Sequence, residues 1–186
     1  MGHESAIVRM VRGTMAGMIG GAVASYAMNQ FQAAFKSPPH KEQPRGAAST
    51  GTATGSTKAQ ASRQEGGGGA DATVKTAQAI SRNLFDHDLS DREKQIAGPA
   101  IHYAYGVLVG GLYGGLSEVL PVVSAGLGMP YGAVLWALGD EVAVPALGLS
   151  KPPTKYPLAT HADALSTHFV YGITLDVVRR VARHLV

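Results

Sequence analysis

A chain of 186 residues without a single cysteine excludes a disulfide framework, a thiolate nucleophile and a cysteine-based zinc site. Its formal charge of +3 and pI of about 9.2 do not point to nucleic acid, because Lys and Arg sit at the flanks of apolar runs and along one polar stretch instead of interleaving with aromatics. The mean hydropathy of +0.04 conceals a segregation: hydrophilic residues gather between positions 36 and 97 and at the chain ends, and the remainder is Ala, Gly, Leu and Val, the distribution of a membrane protein.

The first apolar run, 10 to 33, follows Arg9 and Arg12. Ala22-Val23-Ala24 has the form of a signal-peptidase site, but the apolar run continues past it, so residues 1–36 are expected to hold a first transmembrane helix with a basic N-terminal flank. Residues 37–70, "SPPHKEQPRGAASTGTATGSTKAQASRQEGGGGA", contain almost no large apolar side chain. Nothing there offsets the entropy of ordering, and a disordered linker is expected. Over 71–90, Val74, Ala77, Ile80 or Ser81, and Leu84 recur at helical spacing, which predicts a short amphipathic helix resting on a membrane surface. Ser90-Asp91-Arg92-Glu93 has capping-box spacing and predicts a helix start near Asp91.

Three further runs, 98–120, 122–144 and 160–178, reach the roughly 20 residues needed to span a bilayer core and make 91–186 a three-helix transmembrane region. Pro121, Pro130 and Pro145 leave the limits of the middle run open by several residues. The expected fold is therefore all-α: an integral membrane helical bundle of about four transmembrane helices with a disordered loop and one short amphipathic helix. Arg9 and Arg12 flank the first span and Arg179, Arg180 and Arg183 follow the last, so both termini are expected on the cytoplasmic side.

Gly13, Gly17 and Gly21 recur every fourth residue in the first run, and Gly106, Gly110 and Gly114 do so in the second. Such spacing keeps small residues on one face, where two backbones approach closely enough to gain dispersion contacts that lipid does not supply. His-x-x-Tyr-Gly occurs twice, as His102, Tyr105, Gly106 and as His168, Tyr171, Gly172. Residues three apart share a helix face, so each motif reads as a polar contact at a close crossing, with Tyr105 and Tyr171 placed to orient the imidazoles.

Ionisable residues inside membrane segments call for a partner or a function. Alternating helix directions bring His102, Asp140, Glu141, His161, Asp163 and His168 toward one side of the bundle, and Glu118 and Asp176 toward the other. The first group has three readings: a hydrogen-bonded plug that holds register, a proton-responsive site, or a divalent metal or haem site built on neutral imidazoles. No HExxH, GxSxG, Walker-type or dinucleotide pattern is present, so no catalytic residue is assigned and no enzyme or cofactor is expected.

The blocks "GPAIHYAYGVLVGGLYGGLSEVLP" and "MPYGAVLWALGDEVAVPALGLSKPPTKYPLATHADALSTHFVYG" resemble the YagU-like family of small bacterial inner-membrane proteins, over about residues 72 to 183, with "WALGDEVAVPALGLS" the most specific stretch. The resemblance implies a location in the bacterial inner membrane and carries His102, Tyr105, Asp140, Glu141, His161, His168 and Tyr171 over as family-type positions without roles. The resulting expectation is a non-enzymatic membrane module serving envelope or acid-stress physiology, with the lipid bilayer as its partner, alone or as a homo-oligomer or with another membrane protein. The alternatives are an oligomeric proton or small-solute conduit and a cofactor-binding redox subunit.

Overall fold

A computed structural model describes residues 5–35 and 68–186, and among these the chain is helical with no strand. Of the linker expected over 37–70, residues 37–67 lie outside the described residues. The long elements are α1 (Ala6–Phe35), α2 (Gly68–Phe85), α3 (Asp91–Val119) and α6 (Leu158–Ala182). Between α3 and α6 the chain runs through a 3-10 segment (Pro121–Gly128), α4 (Met129–Leu135), a π-helical segment (Trp136–Ala143), the one-turn α5 (Val144–Ala146) and a 3-10 turn (Pro153–Lys155).

Helix α3 starts at a capping box. Ser90 Oγ accepts from the Glu93 amide at 3.4 Å, and Glu93 Oε2 accepts from the Ser90 amide at 2.8 Å and the Ser90 hydroxyl at 2.6 Å. Donors that favour the charged carboxylate, the Ser90 hydroxyl and amide first and then His87, hold the Glu93 pKa down at about 2. Pro121 ends α3 and opens the 3-10 segment, where Ala125 is extended and Gly126 and Leu127 are left-handed (φ 63° and 54°). The apolar stretch Pro121–Ala146 is thus bent before α-helical geometry resumes at Met129. Its second half widens into π geometry, in which the Val144 amide reaches back five residues to the Gly139 carbonyl. Single-turn π geometry is uncommon and is associated with functional sites.

Helix α1 packs antiparallel against both α3 and α6. A Cβ placed on Gly110 would lie 2.6 Å from the Gly17 carbonyl oxygen and 2.7 Å from the Gly21 Cα, and one on Gly13 would lie 2.6 Å from the Gly114 carbonyl oxygen. On its other side, a Cβ on Gly20 would lie 2.8 Å from the Leu175 carbonyl oxygen. The six glycines of the two four-residue repeats therefore form one seam along which two backbones touch. The apolar core is small, formed by Ala24, Met28, Tyr113, Tyr171 and Leu175, with Val109, Val123, Tyr131 and Leu135 at its edge.

Large aliphatic side chains point outward instead: Leu108 is 67% exposed, Leu138 61% and Val181 61%. Glycine and charge inside with aliphatics outside is the reverse of a water-soluble helical bundle. By length and composition, however, one helix among the described residues, Pro121–Ala146, is apolar enough to cross a membrane, where four were expected. The other long helices fall short because glycine, tyrosine, histidine and hydroxyl residues fill positions that aliphatics would need to occupy.

Candidate functional site: a histidine–carboxylate layer and an arginine knot

The π-helical segment presents Asp140 and Glu141, adjacent in sequence, to helix α6. His161, on the first turns of α6, places Nδ1 2.7 Å from Glu141 Oε1 and Nε2 3.1 Å from the Pro153 carbonyl oxygen. Both neighbours are acceptors unless Glu141 carries a proton, and neutral imidazole has a single N–H to donate. Both contacts can be hydrogen bonds at once only when the pair carries one proton more than a neutral imidazole and a free carboxylate. The Tyr156 ring packs edge-on against the imidazole, with centroids 6.4 Å apart.

His168 lies about two turns further along α6. Its Nδ1 sits 2.9 Å from the Ala164 carbonyl oxygen, which assigns the N–H to Nδ1 and leaves Nε2 facing Asp140 Oδ2 at 3.9 Å. A proton on Nε2 would convert that approach into an ion pair. His102 lies within electrostatic range of His168, and its Nε2 is buried without a hydrogen-bond partner, as are Ser25 Oγ and Trp136 Nε1.

Other candidates stand apart from these pairs. Asp163 is exposed, and its backbone carbonyl accepts from Thr167 Oγ1 at 2.7 Å. Tyr105 is half exposed near Gly139. The buried Tyr171 hydroxyl donates to the Gly106 carbonyl at 2.6 Å, so it joins α6 to α3 instead of orienting an imidazole. Tyr131 makes a parallel bond to the Val109 carbonyl at 2.7 Å. The glycines of the two His-x-x-Tyr-Gly motifs do sit at close crossings, Gly106 against Ser25 and Gly172 against the Gly128 carbonyl. Among the described residues no three His, Asp or Glu side chains converge to hold a metal ion.

The opposite end of the bundle holds a second polar constellation that the sequence reading left without partners. Asp176, fully buried, accepts from Arg179 at 3.0 Å and from Arg180 at 2.8 Å. Glu118 lies 3.0 Å from Arg183 and 3.8 Å from Arg179, and its backbone carbonyl accepts from Arg9 at 2.8 Å. The Arg179 guanidinium stands 5.6 Å over the Tyr113 ring, which in turn stacks on Tyr131 at 4.8 Å. Arg12 donates to the Val186 carbonyl. Three helices are tied by this knot: the start of α1 and the ends of α3 and α6. Its one signal in the sequence is the spacing of Asp176, Arg179 and Arg180, which puts both cations on the face of the acid.

A family described as "Protein of unknown function (DUF1440)" matches residues 77–177, a segment that includes every residue of the histidine–carboxylate layer. The chain belongs to that family. No curated protein and no solved structure matches the chain.

Proposed function

We propose that this member of the family is a multi-pass inner-membrane module without enzymatic activity, in which protonation of the layer between the π-helical segment and α6 changes how those two elements pack. The membrane reading is supported by the outward aliphatic surface and by the apolar Pro121–Ala146 stretch. Exposed aliphatics on helices joined by glycine seams and buried charge suit a lipid solvent, in which close backbone packing and internal pairing replace water exclusion. On the strength of the arginines that flank the first and last spans, Arg9, Arg12, Arg179, Arg180 and Arg183, the end that holds them is assigned to the cytoplasmic side.

One observation carries the proton-responsive reading: His161 sits between two acceptors, Glu141 Oε1 and the Pro153 carbonyl. Removing the extra proton leaves a neutral imidazole with one N–H for two acceptors, so either Glu141 Oε1 at 2.7 Å or the Pro153 carbonyl at 3.1 Å faces a bare ring nitrogen, which the packing of α6 on the π segment must relieve. The groups that face the layer are Glu141, Asp140 and Tyr156 around His161 and His168, with His102 behind His168.

Two measurements test the proposal. After alkaline carbonate washing of membranes the chain is expected to stay in the pellet, and release into the supernatant would dispose of the membrane reading. In detergent, the thermal midpoint of the full chain is expected to change between pH 5 and pH 8, and a His161→Gln, His168→Gln variant is expected to lose most of that dependence. Identical pH profiles for the two proteins would remove the proton-responsive reading and leave the layer as a structural plug.

A further inference from the structure

The arginine knot is more than a clasp, because its charges do not balance. Among the described residues, the guanidinium groups of Arg179, Arg180 and Arg183 contact the carboxylates of Glu118 and Asp176, and that of Arg9 contacts the Glu118 backbone carbonyl, so two carboxylates answer these four cations. Arg179 is buried on the inner face of the knot, where its Nη atoms meet Asp176 and Glu118, while Arg180 keeps about half of its side chain exposed and Arg9 is exposed and, among the described residues, bonds the Glu118 backbone carbonyl. Immediately beside these two forks, on the same helix ends, are the outward aliphatics Ile7, Val11, Val177 and Val181. A rim that changes from aliphatic to cationic within one helical turn matches the boundary between acyl chains and headgroups, and guanidinium is the side chain best suited to grip a phosphate with two parallel donors.

We propose that this rim is a docking surface for the anionic headgroups of phospholipids, with Arg9 and Arg180 as the phosphate-facing groups and Arg179 and Arg183 as the internal clasp that fixes them. The occupant follows from charge complementarity. The excess positive charge is left on the outer side of the knot, where the adjoining aliphatics belong in hydrocarbon, and an anionic surface gains about fivefold in binding for each basic group brought to it. The inference rests on the membrane reading but adds a lipid preference that the reading alone does not demand.

The test uses the full chain in mild detergent with an equimolar mixture of phosphatidylglycerol and phosphatidylcholine of matched acyl chains, and counts retained lipids by native mass spectrometry. The wild-type chain is expected to retain phosphatidylglycerol several-fold over phosphatidylcholine. An Arg9→Gln, Arg180→Gln variant is expected to retain the two lipids about equally, whereas Arg180→Lys, which keeps the charge, should keep most of the preference. Equal retention by the wild type, no retention of either lipid, or an unchanged preference in the double Gln variant overturns the proposal. These results are separate from the carbonate-washing result: a chain that stays in the membrane pellet yet shows no lipid preference sinks the docking surface and leaves the membrane reading standing.

Discussion

Gly110 is the position where the packing of α1 on α3 is most directly open to measurement. In Gly110→Ala the new methyl would lie 2.6 Å from the Gly17 carbonyl oxygen, 2.7 Å from the Gly21 Cα and 3.0 Å from the Gly21 amide nitrogen. All three are backbone atoms, so no side chain can swing away. Ordinary contact begins at 3.4 Å, and the two helices must separate by about 0.8 Å along this line, losing dispersion contacts at neighbouring points of the seam. Overpacking of this kind costs about 1–3 kcal/mol, while replacing a mid-helix glycine by alanine returns about 0.5–1 kcal/mol. The expected net loss is about 1–2 kcal/mol. Gly139→Ala is the control, since its methyl would meet only the Tyr105 hydroxyl at 3.8 Å, and it is expected to be neutral to within about 0.5 kcal/mol or slightly stabilising. Unfolding of both variants in mixed micelles, read by circular dichroism against denaturing detergent fraction, provides the comparison. Adding Gly17→Ala to Gly110→Ala should cost less than the two separate losses combined, because one opening of the seam relieves both methyls. Equal stabilities for Gly110→Ala and Gly139→Ala would refute the close-contact reasoning.

Three further outcomes follow from the ionic groups. Asp176→Asn removes the acid that Arg179 and Arg180 share and leaves Arg179 buried with Glu118 at 3.8 Å; a loss of about 3 kcal/mol is expected, and a change under about 1 kcal/mol in the same micelle assay would show the knot to be dispensable. For His161 and Glu141, a double-mutant cycle with His161→Ala and Glu141→Gln should give a coupling of about 0.5–3 kcal/mol, and additive losses would contradict a shared proton at 2.7 Å. Glu93 has its pKa lowered from 4.5 to about 2 by its bonds to Ser90. A depressed carboxyl contributes stability that is present above the unfolded value and lost as pH falls through the folded value, so the first turn of α3 should fray between about pH 4.5 and pH 2. Hydrogen exchange at the Glu93 and Lys94 amides reports this, and Glu93→Gln should abolish the pH dependence.

The glycine seam is legible because small residues every fourth position define a face without any knowledge of the partner, and Gly13, Gly17 and Gly21 meet Gly106, Gly110 and Gly114 along that face. The start of α3 is legible for a similar reason, since a capping box is a local device whose two bonds span three residues. The segment Trp136–Ala143 is not legible. Its composition suits an α-helix equally well, and no local signal in it marks the widened turns. The bend at Ala125–Leu127 is also hidden, because Leu127 adopts a left-handed conformation that leucine disfavours, held there by the chain on either side. The arginine knot escaped for a different reason. Arg179, Arg180 and Arg183 read as flank charges that set orientation, and Glu118 and Asp176 as acids on a far face; that they meet depends on α3 and α6 running parallel and ending at the same level. Tyr171 illustrates the remaining gap: helical spacing places it beside His168, but its hydroxyl is taken by the Gly106 carbonyl across the bundle.

The contact between Gly128 and Gly172 has an unequal consequence for its two members. Each would push a methyl into the carbonyl of the other, but Gly128 also needs a left-handed backbone (φ 74°). A bulkier residue at 172 presents a purely steric problem, which a compensating shift of the bend can absorb. The same residue at 128 meets a conformational obstacle that no rearrangement of its neighbour removes. In a genetic selection, suppressors should therefore arise for lesions at 172 and be missing for lesions at 128.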